Sequence, residues 1–255
     1  MTSGKVKRGL VIADLQYPQH NPKLLDLVEK YMASQKWDYL IYLGDFLDMD
    51  AISHHAFEEG NMRAIEGKRL IDDYAGASEI LQKHREIVGE KCKTVFFLGN
   101  HEEWAEKFLD KYPQLEGFLE IRNNLPLKEL DIEVIEPRHF YKIGKILFVH
   151  GDFQAGYVSR HHAMKMVETF NRNVVYAHHH TLQTFTKISP AGIDETHTAH
   201  CIPCLGDTSP EWAKDRPNSW LNGFGVFFTD DKNFTIIPIV AAKGEFISPE
   251  GKLWK

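Results

Sequence analysis

Short hydrophobic runs recur along the chain, and many end in glycine, aspartate, asparagine or histidine. Runs at 7–13, 37–43 and 93–98 read as buried strands. Between the first two, Asn21-Pro22 supplies a capping side chain and a first-turn proline. Leu24, Leu25, Val28, Tyr31 and Met32 then recur at helical spacing up to about residue 34. The opening is therefore β-α-β, with a crossover long enough for parallel pairing. A second helical stripe runs through Leu70, Tyr74, Ala77, Leu81 and Val88, after a loop at 49–61. Residues 102–111 read as a helix stopped by Pro113, and 113–130 as short helix and loop. From residue 131 the pattern turns β-rich, with strands expected at 132–135, 140–143, 145–149, 174–177, 183–188, 198–202, 223–229 and 234–240. One helix, 159–171, interrupts them with Ala163, Met166, Val167 and Phe170 inward. No linker, repeat or low-complexity tract divides the chain. The pattern predicts an α/β fold in one domain over 1–255, with two sheets facing each other and helices outside.

The polar groups that end the strands change the picture. Asp14 follows the first strand, and Gly44-Asp45-Phe46-Leu47-Asp48 follows the second. Leu98-Gly99-Asn100-His101-Glu102 closes the third. His150-Gly151-Asp152 and His178-His179-His180 close two later ones. Strand C-terminal ends are where α/β sheets place ligands. Asp14, Asp45, Asn100, His150, His178 and His180 offer carboxylate, amide and imidazole donors. That mixture suits borderline divalent ions better than magnesium alone. Six donors exceed one tetrahedral site, so two ions about 3.5–4 Å apart, joined by a carboxylate, are the economical expectation. In an extended segment His178 and His180 share one side while His179 points away.

In order and spacing, these clusters resemble the calcineurin-like metallophosphoesterase superfamily, with its D-x-H, G-D-x-x-D, G-N-H-[DE], later H, and G-H-x-H pattern. The likeness spans roughly two thirds of the chain, from Asp14 to His180. It implies a four-layer α/β/β/α sandwich of two mixed sheets with the site at the sheet edges. Asp45 would bridge two metals, Asp14 and His180 would hold the first, and Asn100, His150 and His178 the second. His101 would protonate or stabilise the leaving oxygen, and Asp48 would orient His101. The implied activity is phosphate-ester hydrolysis by a metal-bridging hydroxide without a covalent intermediate. The stretch 217–227 resembles the end of small single-domain bacterial and phage members.

Two positions depart from the pattern. Gln16 stands where the superfamily has histidine, and its amide oxygen is a weaker ligand, so the first site is expected to be looser and to favour manganese, with zinc, iron, nickel or magnesium as alternatives. His20 is a candidate replacement ligand or a substrate contact, and His54, in the loop beyond Asp48, a candidate substrate contact. Ala177 replaces the usual glycine before His178. Met49 stands where Ser/Thr protein phosphatases carry arginine, which argues against a phosphoprotein substrate.

A net charge of -6 and the lack of a long basic run favour a small phosphoester or nucleotide over long nucleic acid. Phosphodiester is expected over monoester, and the competing readings are a non-catalytic, metal-stabilised scaffold whose first site has weakened at Gln16 and, within the enzyme class, a nuclease. Three cysteines, including Cys201 and Cys204 in a lone CxxC, form no disulfide framework. Five apolar residues at 9–13 are too few for a signal peptide, and no stretch is long enough to span a membrane, so a cytoplasmic protein is expected.

Overall fold

The computed structural model describes residues 5–53, 56–57, 60, 62–153, 160–188, 190, 196–210 and 218–255. Alternation along the strands sorts side chains into three apolar layers. In β1 (Lys7–Ile12), Leu10 and Ile12 face helices, while Val11 faces the other sheet. β2 (Tyr39–Tyr42) and β3 (Lys93–Phe97) repeat this, with Leu40, Tyr42 and Phe96 outward and Ile41, Val95 and Phe97 between the sheets. Burial on both faces is why these strands read as unbroken apolar runs.

The first sheet continues through β4 (Ile132–Ile135) on one side, and β10 (Gly223–Thr229) and β11 (Phe234–Val240) on the other. Its order is β11-β10-β1-β2-β3-β4. β1, β2, β3 and β4 are parallel, and β10 pairs antiparallel with β1. The second sheet has the order β5-β6-β7-β9-β8, from β5 (Tyr141–Ile143), β6 (Ile146–Phe148), β7 (Asn173–Tyr176), β8 (Gln183–Lys187) and β9 (His197–Cys201). There β6, β7 and β9 are parallel. The two sheets press Val11, Leu43 and Phe97 against Phe148, Val175 and Ile202.

Helices α1 (Pro22–Ala33) and α2 (Leu70–Val88) cover the first sheet, and α5 (His162–Phe170) covers the second. Two others, α3 (Glu103–Lys111) and α4 (Ile121–Asn124), follow β3. The fold is the expected α/β/β/α sandwich. Asn21 caps α1 by accepting from the Leu24 N–H at 3.1 Å, as the Asn-Pro pair predicts.

The structure differs from the sequence reading in three places. α5 starts at His162 rather than 159. The loop after Asp48 contains 3-10 turns at Asp50–Ile52 and Met62–Ile65. A hairpin of β12 (Phe246–Ile247) and β13 (Leu253–Trp254) closes the chain, with Phe246 and Trp254 packed around Tyr31. The strands of the β-rich second half divide between the two sheets. β4, β10 and β11 return to the first, because β4 is a crossover partner of β3 and the long β10–β11 hairpin docks on β1.

Candidate metal centre

Each ligand candidate sits just past the C-terminal end of a parallel strand: Asp14 after β1, Asp45 after β2, Asn100 after β3, His150 after β6, and His178 and His180 after β7. The two sheets bring these ends to one edge. There the side chains form two groups that share Asp45. Asp14, Asp45 and His180 are one, and Asp45, His150 and His178 the other, with the ligand atoms of each group within 4.8 Å of one another. Asn100 joins the second group, its Oδ1 3.1 Å from His150 Nε2. Asp45 Oδ2 is 3.2 Å from that same nitrogen, and Asp14 Oδ1 is 3.6 Å from His180 Nε2.

Close approach at this edge requires unusual backbone. Asp14, Gln16, Asp45, His178 and His180 all have positive φ, between 45° and 70°. Each such residue costs about 1–3 kcal/mol, and strain of this kind concentrates at functional sites. Two glycines make the room. A Cβ on Gly44 would lie 2.3 Å from His150 Nδ1, and one on Gly99 would lie 2.2 Å from Asp45 Oδ1.

Hydrogen bonds aim the ligands. The Leu43 carbonyl, 2.8 Å from His150 Nδ1, accepts its proton and leaves Nε2 facing Asp45 and Asn100. The His178 N–H donates to the Asp14 carboxylate at 3.1 Å. Glu102, the last residue of the GNHE cluster, is fully enclosed. Its carboxylate accepts from the N–H groups of Asp45 (3.0 Å), Leu47 (2.9 Å) and Gly99 (2.8 Å), clamping two ligand loops together. Burial, with Asp45 nearby, pushes Glu102 up to about 7.

Charge in the site is balanced by imidazoles. Burial alone would raise Asp45, but His150 and His101 hold its carboxyl well below the usual carboxylate range. Burial would lower His150, yet Asp45 holds it up at about 10. His178 goes the other way, to about 4, from burial and repulsion by His150. The residues fit a pair of divalent cations. Acceptors converge on His150 Nε2, and the buried Nδ1 atoms of His178 and His180 have no hydrogen-bond partner among the described residues. One carboxylate belongs to both donor groups.

His101 lies beside this centre. Its Nε2 is 4.0 Å from Asp45 Oδ2, and its main-chain N–H donates to Asp45 Oδ1 at 3.0 Å. The sequence assigns Asp48 to orient it. The structure places the main-chain carbonyl of Asp48 2.7 Å from His101 Nδ1, with the Asp48 carboxylate further off at 3.4 Å. Trp104, one helical turn on, stacks on the imidazole with ring centroids 4.2 Å apart. Sequence reasoning missed Trp104 and the clamp by Glu102, although their i+3 placement in G-N-H-E-E-W was available as a signal.

The remaining candidates are scattered. Gln16 is buried, and its amide oxygen lies 2.7 Å from where a Cβ on Gly206 would stand. His20 stacks on Tyr17 at 5.2 Å and belongs to neither ligand group. His54 lies outside the described residues. His162 sits behind the histidine turn, its Nδ1 2.5 Å from the Tyr176 hydroxyl. Asp152 pairs with Arg138, its Oδ2 3.5 Å from Nη1. Cys201 and Cys204 are buried free thiols, and burial pushes Cys201 up to about 12.

At one edge, two facing sheets present two groups of metal-ligating side chains that share one carboxylate. The calcineurin-like phosphoesterase model matches residues 8–233, and the chain belongs to that family. No curated protein matches the sequence. Among solved structures, Vacuolar Protein Sorting 29 from Cryptosporidium parvum is similar at 12% identity, 94% coverage of each chain and a TM-score of 0.50. Zinc-complexed Vps29 from Entamoeba histolytica is similar at 13% identity, covering 94% of this chain and 95% of that one, with a TM-score of 0.47. The nuclease MPE of Pseudomonas putida is 16% identical over 90% of this chain and 87% of that one, with a TM-score of 0.40. The likeness to the Cryptosporidium protein speaks to the fold alone.

Proposed function

We propose that this chain is a binuclear-metal phosphodiesterase acting on a small phosphoester or nucleotide, with manganese as the working ion. The observation that carries the reading is the pair of donor groups sharing Asp45, with His101 fixed alongside. When bound, two divalent ions supply Lewis acidity at phosphorus and hydroxide near neutral pH. Asp14 and His180 would hold one ion and Asn100, His150 and His178 the other, with Asp45 between them.

The chain's own residues then do the rest. The Asp48 carbonyl fixes His101 Nδ1, so Nε2 points into the site. Burial would strip the His101 proton, but Asp45 and Asp48 hold its pKa up at about 10, so the ring enters as an acid. From Nε2 it donates a proton to the departing ester oxygen. Trp104 keeps the ring from swinging away. Neither Asp48 nor His101 is needed merely to hold an ion, which supports catalysis over a scaffold. Gln16 supports the second reading, a metal-stabilised binding protein with a weakened first site. The free, buried thiols suit a reducing cytoplasm, and among the described residues no helix is long and apolar enough to cross a membrane.

The test is metal content, paired with turnover of bis-p-nitrophenyl phosphate and p-nitrophenyl phosphate under manganese, nickel, zinc and magnesium. We expect two ions per chain, faster diester turnover, and a fall in kcat of about 10²–10⁴-fold in His101→Gln with metal content intact. One ion and no turnover would leave the scaffold reading standing.

A further inference from the structure

The edge opposite the metal centre carries a second concave site of about 570 Å³. It lies at the N-terminal ends of β6, β7 and β9, against the β10–β11 turn. From Asn173 at this mouth to His178 in the donor group is five residues along β7 and just past its end, about 16 Å. Its walls gather Lys142, Lys145, Arg172 and Lys232, and no carboxylate lines it among the described residues. This concentration is local, since the whole chain is acidic.

The two acids of the β10–β11 turn already have partners. Asp231 pairs with Lys7 at 3.0 Å, and Asp230 accepts from the N–H groups of Lys232 (3.0 Å) and Asn233 (2.6 Å). None of the three lysines has an ion-pair partner among the described residues, and Arg172 gives one N–H to its neighbour's carbonyl at 2.9 Å. The floor is fixed, because Asn173 donates to the Lys145 carbonyl at 3.3 Å and accepts from the Thr198 N–H at 3.1 Å. The Thr196 hydroxyl is buried there with no partner among the described residues, and the half-buried ring of Phe234 forms an apolar wall.

We propose that this pocket is a distal binding site for a multiply phosphorylated small molecule of the nucleoside di- or triphosphate class. Four cations around one mouth match three to four phosphate charges, the volume falls in the range of small-molecule sites, and Phe234 offers a face for the base. This site goes beyond the phosphoesterase reading and does not depend on it.

Calorimetric titration with α,β-methylene-ADP, whose carbon bridge resists hydrolysis, tests it. We expect a binding event that persists in His150→Ala, weakens as salt rises, and loses at least about tenfold in affinity in Lys145→Glu/Arg172→Glu. Turnover of bis-p-nitrophenyl phosphate should be unchanged in that charge variant. If the double reversal fails to fold, Lys142→Gln/Lys232→Gln should show the same loss. No event in His150→Ala, or an event equally strong in the charge variants, would overturn the proposal.

Discussion

Two buried histidine–carboxylate clusters flank the same strand, β2, and only one of them is left open. Behind the first sheet, Tyr42 on β2 meets His84 on α2 and Glu29 on α1. His84 Nδ1 is 2.9 Å from the Tyr42 hydroxyl and its Nε2 is 3.2 Å from Glu29 Oε1, while Lys83 closes the other carboxylate oxygen at 2.6 Å. Both His84 nitrogens are partnered, and Glu29 and His84 lie in ordinary helix. Three residues further along, Asp45 opens the other cluster. There the backbone is left-handed, acceptors crowd one imidazole nitrogen, and other ring nitrogens point at nothing among the described residues. A closed network stabilises. An open one, held in strained geometry, waits for a ligand. Burial and charge alone do not separate the two; satisfaction and strain do.

The largest effect should come from the residue that both ligand groups share. Asp45→Asn should cut phosphodiester turnover beyond about 10⁴-fold, more than loss of one proton-transfer group, and leave less than one ion per chain by elemental analysis. Two ions retained in this variant would break the contrast. Next is the clamp. Glu102→Ala strands three buried N–H donors, so metal affinity should fall about 10–100-fold with a loss of about 3 kcal/mol or more in urea unfolding. Asn100 and His150 remain in place in this variant, so an unchanged affinity would mean that Asp45 needs no positioning.

Gln16→His sharpens the comparison in the opposite direction. In the group of Asp14, Asp45 and His180, the His180 Nδ1 has no partner among the described residues like the Leu43 carbonyl that holds His150. An imidazole at position 16 would add a stronger donor to that half. The expected outcome is about tenfold tighter binding of the weaker ion, read by competition with a chelating dye. The introduced ring must share space with Gly206, and no change in the weaker constant would show that position 16 does not face the ions.

Much of this was legible in order along the chain. The apolar runs located the strands because both their faces are buried, and the polar residues at their ends are the side chains that the fold gathers into the two donor groups. What the sequence could not show is direction and closure. Nothing in Asp14 or His180 announces a left-handed backbone, and nothing in Gly44 says that the His150 ring packs against it. Glu102 read as a family letter in GNHE, while its work is to gather amides from Asp45 and Leu47, more than fifty residues away. The basic pocket was invisible because Lys142 lies on β5 and Arg172 and Lys232 on two separate turns, and the acidic bulk of the chain masks them. The Glu29–His84 cluster was invisible for the same reason: its members come from different elements, and only packing makes them neighbours.

The smallest effect, and the control for the whole comparison, is Glu29→Gln. Turnover and metal content should stay at wild-type levels, because this cluster lies behind the sheet. Stability should fall by about 1–3 kcal/mol at pH 7, the worth of hydrogen bonds to a charged group. Burial would raise the Glu29 pKa, but the bonds from His84 and Lys83 win and hold it below the ordinary glutamate value of 4.5. A depressed carboxylate contributes stability that is present in full above its unfolded value and is lost as pH falls through its folded one. The gap between wild type and Glu29→Gln in thermal unfolding should therefore be widest near neutrality, begin to close below about pH 4.5, and vanish under stronger acid. A gap that widened with acid would mean the charge of Glu29 opposes the fold, and the closed cluster would no longer serve as the stable counterpart of the metal centre.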